Sequence, residues 1–212
     1  MIHVCYSLRE ESGSYSKFAG TSIKSLLDNT SEDVTIHLFH DSTLSDENRR
    51  KLSIIAYQHN QEIQFYNVEE LAPEKLEFIQ QKLPRLKNYW GTVASFYRAL
   101  IPDFIDTDRV IYLDTDIIVN LDINEFWQID MQSFPLAAVP ESEQRSVANP
   151  SQYRLETVKN ADYFNAGVFM MDLNRLRVTG GGQSIHQLRR NSLESSRICL
   201  HGSRCSQCVF RG

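Results

Sequence analysis

An α/β fold, with a mostly parallel sheet flanked by helices, follows from three features of the sequence. Apolar residues recur first at strand spacing and then at helical spacing, and the two patterns alternate as β-α-β-α-β up to Phe65. The strand-like runs are short and end in polar, turn-forming residues. The chain has 212 residues, 42% of them hydrophobic, enough to bury one such domain with an appendage. Alternation of this kind argues for a largely parallel sheet with right-handed crossovers, and ligands of such sheets gather at the carboxyl ends of the strands.

Residues 3–7 read as a short buried strand, followed by the polar loop REESGSYS with Gly13 as its hinge. Ala19, Ile23, Leu26 and Leu27 fall at i, i+4, i+7 and i+8, which predicts a helix capped by Ser14 or Ser16 and ending at Asn29. Val34, Ile36 and Leu38 alternate with Thr35 and His37, the period of a strand. Ser45, with Asp46 and Glu47, opens a second helix whose apolar side is Leu52, Ile55 and Ala56, and Ile63 with Phe65 begins a third strand. Residues 69–87 read as a variable polar stretch leading to a helix through Phe96, Tyr97 and Leu100 that stops at Pro102. Then come a strand over 109–113, an extended piece over 117–119 and a short helix around Phe126 and Trp127. Residues 136–139 and 166–171 are further strands, separated by a polar loop rich in Ser, Gln and Asn, and no internal repeat is present.

A formal charge of -5 and a pI near 5.7 exclude a broad attraction to nucleic acid or anionic lipid, so an anionic ligand must be held by local charge or by a metal. No apolar run approaches the roughly 20 residues of a membrane span, and the apolar start is too short for a signal peptide. The expectation is a cytoplasmic protein without a membrane span. Cys5 stands alone while Cys199, Cys205 and Cys208 crowd the C-terminal end, which is no disulfide framework. Cys205 and Cys208 have the spacing of one zinc-knuckle arm but lack a clear second arm, so zinc is not expected.

Asp-Thr-Asp occurs twice, in IDTDRVIYLDTDIIV, and thirteen aspartates make about one such spacing expected from composition alone. The first copy, Asp106 and Asp108, follows Pro102 and reads as a solvated turn. The second copy lies between Val110, Ile111 and Leu113 on one side and Ile117, Ile118 and Val119 on the other, where uncompensated carboxylates are unfavourable. On extended chain, Asp114 and Asp116 project to one face and can share a hard cation, Mn²⁺ or Mg²⁺, that keeps positions for water or phosphate. The competing reading is a strand ending in hydrogen-bonded aspartates that cap the next turn.

The segments VCYSL with Tyr15 and AGTSIKSLL, then SFYRALIP, then VIYLDTDIIVNLDINEFW, then YFNAGVFMMDLNRLR, stand in the order found in glycosyltransferase family 8, which the chain resembles over residues 1–177. The resemblance implies a GT-A type, Rossmann-like nucleotide-binding fold for residues 1–177. The activity it implies is metal-dependent transfer of a hexosyl group from a UDP-sugar to an acceptor hydroxyl on a glycan or glycoprotein, with retention through front-face attack. Asp114 and Asp116 would hold the metal that bridges the donor diphosphate. The backbone near Tyr6 and Ser7 and the ring of Tyr15 would receive the nucleoside, Arg98 would reach the sugar or diphosphate, and Asn165, Ala166 and Gly167 would line the sugar pocket. No nucleophile is identified; Glu141 and Asp162 are nearby carboxylates without a firm role.

The chain departs from the family pattern in two places. Leu8 and Arg9 stand where relatives carry a uracil-pairing Asp, and downstream neither the Asp-Gln-Asp-like segment that follows the sugar pocket in relatives nor their C-terminal His-x-x-Gly-x-x-Lys motif is present, neither His186 nor His201 supplying the latter. From Asn191 onward Ser, Arg and Cys dominate without apolar period, so residues 178–212 read as an incomplete or aberrant tail that cripples turnover. Two alternatives are kept: a degenerate, non-catalytic glycosyltransferase-like binding protein, and a haloacid-dehalogenase-type phosphatase with a nucleophilic first Asp. Against the phosphatase, Asp-x-Asp here follows several elements instead of the first strand, and runs into Ile117 and Ile118.

Overall fold

The first strand, β1 (Ile2–Leu8), is buried on both faces because helices cover the sheet on each side. The computed structural model describes residues 1–82, 93–140 and 164–178. β2 (Val34–His40) and β3 (Glu62–Asn67) follow, with α1 (Tyr15–Asn29) and α2 (Asp46–Gln58) as crossovers. β4 (Arg109–Leu113), β5 (Leu136–Pro140) and β6 (Phe164–Asp172) complete a six-stranded sheet in the order β3-β2-β1-β4-β6-β5. The pairs β2–β3, β1–β2 and β1–β4 are parallel, whereas β6 runs antiparallel to β4 and β5. This is the mixed, mostly parallel α/β sheet that the sequence predicts.

Alternate residues of each strand feed two cores. Val4, Tyr6, Leu8, Ile111 and Leu113 pack with Ala19, Ile23, Leu26 and Leu52 of α1 and α2. Cys5, Val110 and Tyr112 pack on the other side with Tyr97, Leu100 and Ile101. Gly13 sits at φ +74 in the loop before α1, the turn conformation its position in the sequence anticipates.

Four local expectations are corrected. Neither Ser14 nor Ser16 caps α1 with its side chain; instead the Glu10 carboxylate accepts from the backbone N–H of Tyr15 at 3.2 Å and of Ser16 at 2.5 Å. A full negative charge satisfies the helix N-terminus better than a hydroxyl. The polar stretch contains α3 (Val68–Leu71) and α4 (Pro73–Lys82), and Val68, Ala72, Leu76 and Ile79 form a buried stripe that the exposed Glu69, Glu70, Glu74 and Glu77 obscure; residues 83–87 of that stretch lie outside the described residues. The segment Val93–Leu100 is a 3-10 helix that runs on into α5 (Ile101–Phe104), so the helical path does not stop at Pro102. Pro102 lies in the first turn of α5, where its missing N–H breaks no helical hydrogen bond. Residues 117–119 form no strand, because the chain turns at Thr115 and Asp116. Ser45 and Asn29 behave as expected: Ser45 Oγ accepts from Asn48 N–H, and Asn29 closes α1.

The polar positions of β2 are buried too. His37 is 3% exposed, shares a 3.0 Å hydrogen bond with His3 Nδ1 and another with the Tyr66 hydroxyl, and stacks on the His3 ring. Burial, reinforced by the neighbouring His3, lowers its pKa from 6.5 to about 4. Between those values the unfolded chain binds a proton that the folded chain refuses, so stability falls as the pH drops from 6.5 towards 4. The loss expected from this group is on the order of 2 to 3 kcal/mol. Urea unfolding at pH 7 and pH 4.5 checks it: His37→Gln should remove most of that acid-side slope, and an unchanged slope would refute the assignment.

Candidate active site

β1 and β4 are parallel neighbours and end at the same edge of the sheet, where β6, antiparallel to β4, begins. The topology therefore brings Ser7, Asp114 and residues 165–167 to one place, the carboxyl edge at which ligands of such sheets bind. Asp114 N–H donates to Gly167 O at 2.8 Å, which fixes the residue after β4 against the start of β6. Arg98 reaches in from the 3-10 helix. Its Nε donates to Ser95 O at 2.7 Å, its Nη1 donates to Ala166 O, and its Nη2 lies 3.5 Å from Asp114 Oδ1. The guanidinium carbon sits 4.6 Å from the centre of the Tyr112 ring, and the Tyr112 hydroxyl donates to Asp114 Oδ1 at 2.9 Å.

Four of the residues singled out in the sequence thus converge: Arg98, Asp114, Ala166 and Gly167. Asn165 lies beside Ala166 in β6. Tyr112 was missed, although the two-residue period of β4 places it on the same face as Asp114 and away from Ile111 and Leu113.

Asp116 is fully part of the surface, and the intervening Thr115 is buried. The two carboxylates flank a turn instead of sharing an extended face, which corrects the geometry expected from spacing. They still feel each other: burial pushes the Asp114 carboxyl above its ordinary value and Asp116 adds to this, against the opposing pull of Arg98 and Tyr112. Beyond the turn only part of the apolar triplet is packed. Ile118 is 58% exposed, while Val119 is buried and held by α1, its N–H donating to Ser25 Oγ at 2.9 Å and its carbonyl accepting from Asn29 Nδ2 at 3.0 Å. The first Asp-Thr-Asp copy is an exposed bend, as expected.

The Tyr6 ring points into the α1 core, fully buried, with Ser22 Oγ donating to its hydroxyl at 3.4 Å. Only the Tyr6 backbone is left to serve a ligand. Ser7 Oγ is buried without a hydrogen-bond partner of good geometry, although it is close enough to the Tyr112 phenol to influence its acidity. An unsatisfied buried hydroxyl at a sheet edge is the kind of group a ligand satisfies. Tyr15 takes no part in the Arg98 cluster; it is 40% exposed at the start of α1, edge-on to Phe18 at 5.9 Å.

A second cluster flanks the same edge. Asp41, 1% exposed at the end of β2, accepts from Arg9 Nη1 at 2.7 Å, from the Tyr97 hydroxyl at 2.8 Å and from Thr43 N–H and Oγ1. Thr43 Oγ1 in turn accepts from Glu10 N–H at 2.8 Å. Sequence reasoning did not find this network; the Asp-Ser-Thr run after a strand signals a local side-chain turn, but not the partners at positions 9 and 97.

Among the described residues, no group of three or more His, Cys, Asp or Glu side chains is placed to hold a metal, and no helix is long and apolar enough to cross a membrane. Glu141, Asp162, His186, His201 and the tail with Cys199, Cys205 and Cys208 lie outside the described residues.

Comparisons with known proteins agree with this architecture. A putative glycosyltransferase of Haemophilus influenzae is 25% identical over 162 residues, 76% of this chain and 46% of the relative, so the chain spans about half the length of that curated relative. The crystal structure of the galactosyltransferase LgtC, in complex with donor and acceptor sugar analogs, superimposes with a TM-score of 0.65 at 18% identity, covering 93% of this chain and 66% of LgtC. The apo structure of mouse xyloside xylosyltransferase 1 gives 0.64 at 14% identity, covering 93% of this chain and 76% of the mouse protein. These likenesses establish the GT-A fold. The sequence model described as glycosyl transferase family 8 matches residues 5–210, running through the segment after residue 178 that the sequence reading sets apart. With nearly all of its length matched, the chain belongs to glycosyl transferase family 8.

Proposed function

We propose that this chain carries the donor-binding part of a metal-dependent, retaining glycosyltransferase that moves a hexosyl group from a UDP-sugar to a hydroxyl of a glycan or glycoprotein. The observation that carries the reading is the meeting of Arg98, Asp114, Ala166 and Gly167 at the carboxyl edge of the sheet. The donor set suits a hard divalent cation, Mn²⁺ or Mg²⁺. Among the described residues, both side-chain contacts of Asp114 fall on Oδ1, which leaves Oδ2 for a cation, and the rise in its carboxyl pKa, caused by burial with Asp116 adding to it, is the strain a cation relieves. Asp114 and Asp116 would hold the ion, with water and donor phosphate completing its shell. When bound, it would neutralise charge on the departing diphosphate.

The chain's own groups supply the rest. Arg98 is fixed by the Ser95 and Ala166 carbonyls and so presents a second positive charge beside Asp114 without reorganisation. The small side chains of Ala166 and Gly167, beside Asn165, let a sugar approach the β6 backbone. Ser7 Oγ and the backbone at Tyr6 offer hydrogen bonds to a nucleoside, and the exposed Tyr15 ring offers a stacking face. LgtC, which shares the fold, was crystallised with donor and acceptor sugar analogs, which supports a sugar donor and a glycan acceptor here.

Incubation with a panel of UDP-hexoses and Mn²⁺ tests the reading. Release of UDP that stops on chelation is expected, slow without the acceptor. Indifference to every UDP-hexose, together with hydrolysis of simple phosphate esters, would replace the reading with the phosphatase alternative.

A further inference from the structure

Asp114 is not free to choose its orientation. Its Oδ1 accepts from the Tyr112 hydroxyl at 2.9 Å, and Arg98 approaches that same oxygen at 3.5 Å. Tyr112 is itself fixed: it is 1% exposed, its ring stacks on Phe169 with centroids 5.0 Å apart, and the Arg98 guanidinium carbon lies 4.6 Å from its ring centre. The nearer donors of Arg98 are already engaged by backbone carbonyls of Ser95 and Ala166. The phenol, a neutral donor at ordinary pH, is therefore the group that sets the rotation of the carboxylate.

We propose that Tyr112 is a positioning residue for the cation site: its hydroxyl holds Asp114 Oδ1 so that Oδ2 faces the divalent ion, and its ring seats Arg98 beside the diphosphate. This rests on the reading of Asp114 as a cation ligand given above. Groups that orient a ligand by hydrogen bonding behind it commonly change metal affinity by about 10- to 100-fold when removed. One side chain thus touches two charges of opposite sign, Asp114 through its hydroxyl and Arg98 through its ring. The aromatic at this position is more than core filling, since Phe would stack on Phe169 equally well.

Tyr112→Phe keeps the ring, its stack and the Arg98 contact, and deletes only the hydroxyl. Mn²⁺ titration followed by electron paramagnetic resonance, with UDP binding measured in parallel with and without the metal, reads the effect without turnover. The expected result is an Mn²⁺ affinity about tenfold weaker in the variant, with metal-free UDP binding and the thermal midpoint close to wild type. A purely structural role would instead lower the midpoint and leave Mn²⁺ affinity unchanged, and that result overturns the inference. Wild-type protein that binds no Mn²⁺ would remove both the inference and the reading beneath it; wild-type binding matched by the variant would remove the inference alone.

Discussion

Replacing Asp41 by alanine is expected to lower stability by about 3 kcal/mol. The change strands the Tyr97 hydroxyl, on a side chain only 1% exposed, and removes the acceptor for Thr43 and for Arg9. Arg9 is 28% exposed and retains Glu11, so its charge is not left uncompensated, which keeps the loss below that of a fully buried pair. Asp41→Asn preserves a carbonyl oxygen for part of the network and should lose about half as much. Urea unfolding measures both; an alanine variant within about 1 kcal/mol of wild type would show that the network adds little. The consequence reaches the site, because Tyr97 immediately precedes Arg98 and anchors the 3-10 helix that delivers it.

The sheet and its crossovers were legible because each rests on a repeated local pattern. Val4, Ile36 and Ile111 lie in runs whose period leaves one arrangement for the backbone, and Ala19, Ile23 and Leu26 fix the buried side of α1. What escaped depends on partners distant in sequence or on competing local signals. Glu10 caps α1 from five and six residues away, so the nearer serines read as caps. In α3 and α4 the apolar stripe is thinned by charge, and at Pro102 a residue that usually ends a helix begins one.

The candidate site divides in the same way. Asp114, Arg98, Ala166 and Gly167 carry recognisable sequence context and meet in space. Tyr112 and Asp41 matter through what touches them, which no spacing reveals. The turn at Thr115 shows the limit of spacing itself: two carboxylates two residues apart share a face only if the chain stays extended, and here it does not.

Removing the charge of Asp114 is expected to separate binding from folding. Burial and the proximity of Asp116 disfavour its ionised form, so Asp114→Asn relieves that strain and keeps an acceptor for Tyr112. The fold should be retained, with a thermal midpoint equal to or above wild type. The charge lost is the one proposed to bridge cation and diphosphate, an interaction of several kcal/mol, so nucleotide affinity in the presence of Mn²⁺ should fall by about a hundredfold.

Calorimetry of UDP binding to wild type and to Asp114→Asn, each with and without Mn²⁺, is the most direct measurement. Manganese-enhanced binding in the wild type that vanishes in the folded variant is the predicted result. Equal affinities across all four titrations would contradict the assignment of residues 114 and 116 to a cation that grips the donor.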